Sequence, residues 1–585
     1  MIKHLIFKAL SFLFARRNLQ RTLSRCRRMI DSTKVGTVSF DLFDTCLVRL
    51  SYLPRDVFFL ALRKWGGDRS GTLYQARCDA EGELRRQGVS HPTVEDIWRH
   101  IGAANGLAEE EWKELMDREI EAESRLISAR KAVFDLYARA VQSGKRVIVT
   151  SDMYLPGQVI RDLLDRAGFR APDAVYVSCE QKCSKNDGGL YDILARCEAH
   201  GNPRSILHIG DNLIDDWWKA RRKGLRSFCL MSTGKRFRNS APGAGRFLDE
   251  SFTTADERCL FGFILNACEE DGGLSYRKTG LSLSLFSKAI YFPFLYKASE
   301  FLFRSDKVQS NYSEIYFISR DGRQPLEAYK LWQKAFGGGL NPVYLYGSRS
   351  FYRPHKDPLQ DQRIKAYYQS TLKPKDGRVL IFDIGYRGSV GDISLLMDGC
   401  TVDKVYFWEG RGNVARDKEL GSMTFSLFGT IGKENEWYSC LEGVLCSPEE
   451  ATVNDVEYVD GHYIPRHYSP HTTVAREMKE DVSYVQTEGL GLTASYLEFF
   501  KSGLIAEAGG KMNGYQCLMD LYLGGRWRSS RRILKNISLT DPQSKAYRRT
   551  YSLDRYINRC LWIDNRVLYA AKASLFKVLH AFGRI

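Results

Sequence analysis

The sequence predicts a multidomain α/β protein built on parallel sheets, and three observations carry that prediction. At 585 residues the chain exceeds what a single hydrophobic core usually supports. Short β-branched runs alternate with helical stretches through the first 230 residues and again from about 313 to 408. Carboxylate, hydroxyl and ammonium side chains recur at the ends of those runs, the edge at which parallel sheets bind ligands. Hydrophobic residues at 44%, charged residues at 27% and aromatic residues at 12% exclude a disordered chain.

Taken in order, residues 35–45 (VGTVSFDLFDT) begin as a strand. Residues 53–145 read mostly as helices with charged faces, and 146–150 (RVIVT) return to strand. A helix at 156–167, a strand at 174–178, a helix at 188–200, a strand at 205–209 and a helix at 213–223 follow. The expectation for 35–230 is therefore one domain of parallel strands covered by helices, with a helical insertion after the first strand. Residues 231–257 are rich in Ser, Gly, Thr and Arg around Pro242 and show neither period, so 231–280 is assigned as linker. Strand-like runs at 313–319, 343–347, 378–384 and 403–408 define a second α/β domain over 281–480, and 481–585 reads as helical and basic. No fixed-period repeat or low-complexity tract is found.

The formal charge of +16 is partly local. Lys3, Lys8, Arg16, Arg17, Arg21, Arg25, Arg27 and Arg28 open the chain, and Arg526, Arg528, Arg531, Arg532 and Lys535 lie near its end. In segment 1–34, Ile2, Leu5, Ile6, Ala9, Leu10 and Leu13 fall at helical spacing and suggest a basic amphipathic helix. Such a helix suits a membrane surface or a protein partner. Packing on the chain's own body is the plainer alternative. Nucleic acid is disfavoured, because no recognised binding motif accompanies the charge. The fourteen cysteines show no CxxC or paired Cys/His spacing, so neither a zinc site nor a disulfide framework is indicated. The expected location is the cytoplasm, with the inner face of the membrane as a peripheral alternative. No apolar run approaches the roughly 20 residues that span a bilayer.

Chemistry concentrates at four strand ends. Asp41-Leu42-Phe43-Asp44-Thr45 closes the first strand, Thr150-Ser151-Asp152 the second, Lys185 lies in CSKNDGGLY, and Gly210-Asp211-Asn212 precedes Asp215 and Asp216. This set suits phosphoryl transfer, which needs in-line placement and neutralised oxygens. Asp41 is the candidate nucleophile. Ser151 would donate to a phosphoryl oxygen, with Thr150 as the competing hydroxyl, and Lys185 would neutralise charge. Asp41, Asp211 and Asp216 would hold Mg2+, a hard cation that prefers carboxylates, with Asp215 the alternative to Asp216. Asp44, Thr45, Asp152 and Asn212, in the same turns, are assigned to a small phosphorylated substrate. For each residue a structural role competes: Asp41 could cap a helix and Lys185 could be a solvated surface lysine.

Four motifs in this order, SFDLFDT, VIVTSDMY, the SK of Lys185 and HIGDNLIDD, resemble those of the haloacid-dehalogenase (HAD) superfamily. The resemblance implies a Rossmann-like core, a helical cap of the first type inserted at about 53–145, and hydrolysis through an aspartyl-phosphate. More narrowly, FDLFDTCLVR, SDMYLP, SKNDGGLY and HIGDN are similar to a group of predicted HAD hydrolases associated with bacterial surface-polysaccharide biosynthesis. One departure is visible. HAD phosphatases carry an acid-base aspartate two residues after the nucleophile, and this chain has Phe43 there. The dehalogenase branch also has an aromatic at that place. Attack on carbon, weak phosphatase activity, or a catalytically inactive scaffold that binds a phosphorylated ligand are therefore the alternatives.

The second region offers Ser319-Arg320-Asp321-Gly322, Ser348-Arg349 and DIGYRGS (383–389) after successive strands. Arg320 and Arg387 are the substrate-binding candidates there, beside a glycine-spaced loop able to offer backbone N–H groups to an anion. Ordinary tight turns with surface arginines are the alternative. FISRDG and DIGYRGS are also similar to the C-terminal half of the same polysaccharide-associated group.

Overall fold

The structure is a computed structural model. It describes residues 11–503, apart from 16, 64–68, 200, 241–253, 272–282, 349–350, 352–354, 356, 386–392, 394–395, 398, 411–416, 428–440, 442–443, 446–449, 451, 468–475 and 502. The chain divides into two compact units, one formed by Met1–Tyr276 with Ser502–Ala508 and the other by the remainder.

The first unit holds a five-stranded parallel sheet of β1 (Thr37–Phe40), β4 (Arg146–Ser151), β5 (Ala174–Val177), β6 (Ile206–Gly210) and β7 (Arg226–Cys229), in the order β5-β4-β1-β6-β7. All its pairings are parallel. Such a sheet is covered on both faces, which is why β1 and β6 are buried at every position. With β1 central, the chain builds outward through β4 and β5, then crosses back to β6 and β7. This is the 3-2-1-4-5 order of doubly wound folds, with its switch point between β1 and β6.

Two short strands, β2 (Leu47–Arg49) and β3 (Ile127–Ala129), pair antiparallel as a neck. Between them lie four helices, α2 (Asp56–Leu62), α3 (Arg69–Arg86), α4 (Val94–Asn105) and α5 (Glu109–Arg125). A capping box, with Thr93 and Asp96 bonded reciprocally, starts α4, and Gly106 ends it in the left-handed conformation. Helix α6 (Lys131–Gln142), inside the span expected as insertion, instead belongs to the sheet's covering layer. Its Val133, Leu136, Tyr137 and Ala140 join the core of β1 and β4. Helix α1 (Leu19–Ile30), capped by Asn18, packs on α6 through Leu19, Leu23, Cys26 and Ile30. Over 19–30 the apolar face of the basic N-terminal segment is therefore covered by the chain's own body, while residues 1–10 fall outside the described residues.

Helices α7 (Gly157–Arg166) and α8 (Gly189–Cys197) follow β4 and β5, and α9 (Leu213–Lys219), wound with π spacing, follows β6. The expected linker is corrected by two further helices, α10 (Thr233–Ser240) and α11 (Ala255–Ala267). Helix α11 carries a Thr254–Glu257 capping box and a buried ion pair from Arg258 to Asp56. Polar composition concealed α10, TGKRFRNS, whereas α11, ADERCLFGFILNA, has a polar first turn and then an apolar run that the linker assignment passed over.

The second unit is a parallel sheet of β8 (Glu314–Ile318), β9 (Asn341–Leu345), β10 (Arg378–Gly385), β11 (Thr401–Trp408) and β12 (Thr424–Ser426), ordered β12-β11-β10-β8-β9. Helices include α12 (Phe292–Arg304), α13 (Arg323–Phe336), α14 (Pro358–Thr371) and α15 (Arg476–Lys501). A hairpin of β13 (Val453–Val459) and β14 (His462–His467), absent from the sequence expectation, pairs antiparallel. Of the expected helical region 481–585, α15 is described and 504–585 are not. No helix among the described residues is long and apolar enough to cross a membrane. Every described cysteine is free of disulfide bonding.

Candidate active site

Strand β1 delivers Asp41 to the carboxyl edge of the sheet, where its backbone N–H donates to Ile209 O of β6 at 2.9 Å. The side chain is then gripped on both oxygens. Thr45 Oγ1 donates to Oδ2 at 2.9 Å and Lys185 Nζ to Oδ1 at 2.6 Å. Lys185 also reaches Asp216 Oδ1 at 2.7 Å, and both of its partners are buried with it. Asp41, Asp211 and Asp216 bring carboxylate oxygens within 4.8 Å of one another. Three buried carboxylates around one point form a hard-oxygen donor set of the kind Mg2+ prefers.

A buried chain of polar groups runs beneath this cluster. His208 Nε2 lies 3.2 Å from Asp216 Oδ1, its Nδ1 lies 2.8 Å from Ser39 Oγ, and Ser39 Oγ lies 2.9 Å from Thr150 Oγ1. All four residues are buried. Thr150 is thus committed inside the sheet, and the next residue, Ser151, stands buried at the end of β4, opposite Val177 in register. Asp216 is further held by the Asn212 backbone N–H at 2.8 Å. Gly210 makes room for it: a Cβ built there would stand 2.2 Å from Asp216 Cγ. Asp215 turns elsewhere, to Lys219 at 3.2 Å and Asn212 Nδ2 at 2.9 Å. The geometry therefore places Asp216, and not Asp215, in the cluster.

Charge follows burial. Burial pushes the Asp41 carboxyl up, and Asp216 pushes it further, against the pull of Lys185. Asp211 is pushed up to about 7, first by burial, with Lys235 opposing and Asp44 adding. Burial also works against ionised Asp216, but Lys185 and His208 outweigh it and hold that carboxyl well below the usual range. The Lys185 ammonium, disfavoured by burial, is held far above its ordinary value by Asp216 and Asp41.

Three residues assigned to substrate have hydrogen-bond partners within the chain. Both oxygens of Asp152 accept from the loop that carries the lysine, Lys185 N at 2.7 Å and Asn186 N at 3.3 Å. Asn212 caps α9, its Oδ1 accepting from Ile214 N at 2.9 Å and Asp215 N at 3.2 Å. Thr45 is buried on Asp41. Asp44 sits in the left-handed region at φ 62° with a partly exposed side chain at the rim. Phe43 is packed, its ring covered by the Arg49 guanidinium at 3.8 Å, and Arg49 Nε bonds Glu123 of α5 at 2.7 Å.

Three groups at the site, Arg130, Lys235 and His208, were not assigned a role from the sequence. Arg130 is buried and donates to three carbonyls, Asp44 O at 2.8 Å, Leu230 O at 2.7 Å and Met231 O at 2.9 Å, while pairing with Glu269. It ties the turn after Asp41 to the segment that enters α10. From α10, Lys235 Nζ reaches Asp211 Oδ2 at 2.5 Å and stands 3.8 Å from Asp44 Oδ2. His208, the first residue of HIGDN, could have been singled out as a polar residue within an apolar strand; Lys235 lay in a stretch without periodicity.

In the second unit, adjacent β8 and β10 flank the switch point of a 2-1-3-4-5 order. Ser319 ends β8 and bonds Gly347 O at 3.0 Å, tying β8 to β9. Arg320 Nη1 donates to Glu450 O at 3.5 Å. Asp383 is buried in β10, and Gly385 has φ 104°, where a Cβ would meet Trp408 O at 2.0 Å. Arg387 and Arg349 lie outside the described residues, so Arg320 and the end of β10 are what the structure places at this edge.

No protein-family description matches the sequence, and no curated protein does. Solved structures that match part of the chain are HAD-superfamily hydrolases. An L-2-haloacid dehalogenase of Xanthobacter autotrophicus, with chloropropionic acid covalently bound, is 16% identical with a TM-score of 0.27, over 37% of this chain and 82% of its own. A predicted phosphoglycolate phosphatase of Haemophilus somnus is 14% identical with a TM-score of 0.24, over 34% of this chain and 87% of its own. A Bacillus subtilis protein described as a HAD-hydrolase bound to magnesium is 16% identical with a TM-score of 0.25, over 34% and 88% respectively.

Proposed function

We propose that the first unit is a HAD-type phosphohydrolase that cleaves a small phosphorylated metabolite, with sugar phosphates the leading class, through an aspartyl-phosphate on Asp41. The observation that carries the reading is the seating of Asp41: a buried carboxylate at the switch-point edge, oriented by Thr45, touching Lys185, and sharing one point with Asp211 and Asp216. An Asp41 oxygen attacks phosphorus, the bond to the leaving oxygen breaks with its electron pair, and water then opens the acyl phosphate to release phosphate. Lys185 offsets charge gathering on the nucleophile and the transferred group. Ser151, at the end of β4, donates to a phosphoryl oxygen. Asp41, Asp211 and Asp216 fit a magnesium ion, which when bound supplies further neutralisation of phosphoryl charge.

With Phe43 packed beneath Arg49, no carboxyl stands two residues beyond the nucleophile, and the leaving oxygen takes its proton from solvent. Loss of a placed acid-base group costs roughly 10² to 10⁴ in rate. That same packing favours a second reading, a phosphate-ligand-binding scaffold with little or no turnover, which the resemblance of its motifs would assign to surface-polysaccharide biosynthesis.

A panel of phosphorylated metabolites, headed by sugar phosphates, separates the two. The phosphohydrolase reading expects magnesium-dependent phosphate release that falls at least about 10³-fold in Asp41→Asn. Ligand binding that survives Asp41→Asn, with no release by the unsubstituted protein, would establish the scaffold instead.

A further inference from the structure

We infer that Lys235 is a tethered counter-cation that competes with the divalent ion for Asp211, and so sets how tightly this site holds metal. The inference rests on the proposed metal cluster and goes beyond it, because neither the motifs nor the expected domain boundary includes Lys235.

The two lysines at the cluster are unlike. Lys185 is buried and bonded to two carboxylates, so it is a fixed part of the site. Lys235 stands on Asp211 at 2.5 Å, yet its side chain is 41% exposed while that of Asp211 is only 4% exposed. The ammonium can therefore leave toward water. Asp211 cannot follow it, and an unpaired buried carboxylate is costly. Asp211 thus demands a cation, and Lys235 meets that demand in the absence of metal.

A divalent ion bound by Asp41, Asp211 and Asp216 would share the Asp211 carboxylate that Lys235 now holds. Two cations on one carboxylate repel, so the gain from metal is reduced by what is lost in moving Lys235. The displaced ammonium stays local. Arg130 anchors the carbonyls of Leu230 and Met231 just before α10, and the same guanidinium holds Asp44 O. Lys235 is therefore released beside Asp44 at the rim, where an incoming phosphoryl group can accept from it. Metal and phosphate should then bind cooperatively, and by linkage the coupling is reciprocal.

The test is Mn2+ binding to the full chain, followed by the electron paramagnetic resonance signal of free Mn2+, with and without inorganic phosphate. The expected result is Mn2+ affinity about tenfold or more higher in Lys235→Met than in the unsubstituted protein, within the ~5–150-fold range of linked sites. Inorganic phosphate should tighten Mn2+ binding in the unsubstituted protein and do so less in Lys235→Met. Lys235→Gln serves as a second variant, and thermal midpoints confirm that each is folded. Mn2+ binding that Asp211→Asn abolishes but both Lys235 variants leave unchanged would overturn the inference alone. Absence of Mn2+ binding in the unsubstituted protein and in both Lys235 variants would overturn the metal cluster and the inference together.

Discussion

Asp216 shows how closely single residues set this site. It receives Lys185, His208 and the Asn212 backbone, and it fits only because Gly210 lacks a side chain. In Gly210→Ala the added methyl displaces Asp216, and Lys185 loses one of its two anchors. Displacements on the ångström scale cost about 10²-fold in rate, so phosphate release should fall by about that factor in a protein that still melts cooperatively. Release within twofold of the unsubstituted level would contradict the placement. Asp41, Lys185 and Asp211 were legible in the sequence because each follows a strand or occupies a turn at the same sheet edge, and Asp216 because it lies in the first turn of the helix that leaves that edge. Asp152, Asn212 and Thr45 were equally visible, but their partners were not: sequence spacing does not distinguish a carboxylate aimed at substrate from one that accepts backbone N–H groups. Lys235 was illegible because it reaches the cluster from a helix whose sequence, TGKRFRNS, has no apolar repeat.

At the scale of elements, fully buried parallel strands declare themselves as apolar runs, and their limits fell within a few residues of expectation. The helical insertion between β2 and β3 was legible too, but the buried ion pair inside it was not. Arg77 on α3 is bonded at 2.7 Å through both Nε and Nη2 to Glu119 on α5, which also accepts from Trp98 Nε1 of α4 at 2.9 Å. One carboxylate thus joins three helices. Sequence patterning marked these residues as charged faces, yet Arg77 and Glu119 are buried. Glu119→Gln leaves buried Arg77 only its longer ion pair to Glu81 at 3.7 Å, so it should lower stability by about 3 kcal/mol, the lower end for a broken buried pair. Urea unfolding followed by tryptophan fluorescence checks this, and a loss below about 1 kcal/mol would show that the pair is solvated. The β13–β14 hairpin was missed for a different reason: its strands are half-exposed and rich in polar residues, and Pro465 lies within the second.

At the scale of the whole molecule, each unit is built on a parallel sheet whose carboxyl edge carries the candidate residues. In the first, the switch point between β1 and β6 sets Asp41 against Asp211 and Asp216. In the second, the corresponding edge between β8 and β10 holds Arg320, Asp383 and Gly385. The division of the chain into two α/β regions was legible from alternating periodicity. The extent of the first was not, since α10 and α11 lie in its expected linker and one of them supplies Lys235. The central claim is that Asp41 takes the phosphoryl group itself. Its most direct test is to quench the protein during turnover of the best substrate, reduce with borotritide, and map the label by peptide mass spectrometry. The account predicts tritium in the peptide containing position 41, as the reduced product of an acyl phosphate, and none in Asp41→Asn. Phosphate release with no label at position 41, or undiminished release by Asp41→Asn, would contradict it.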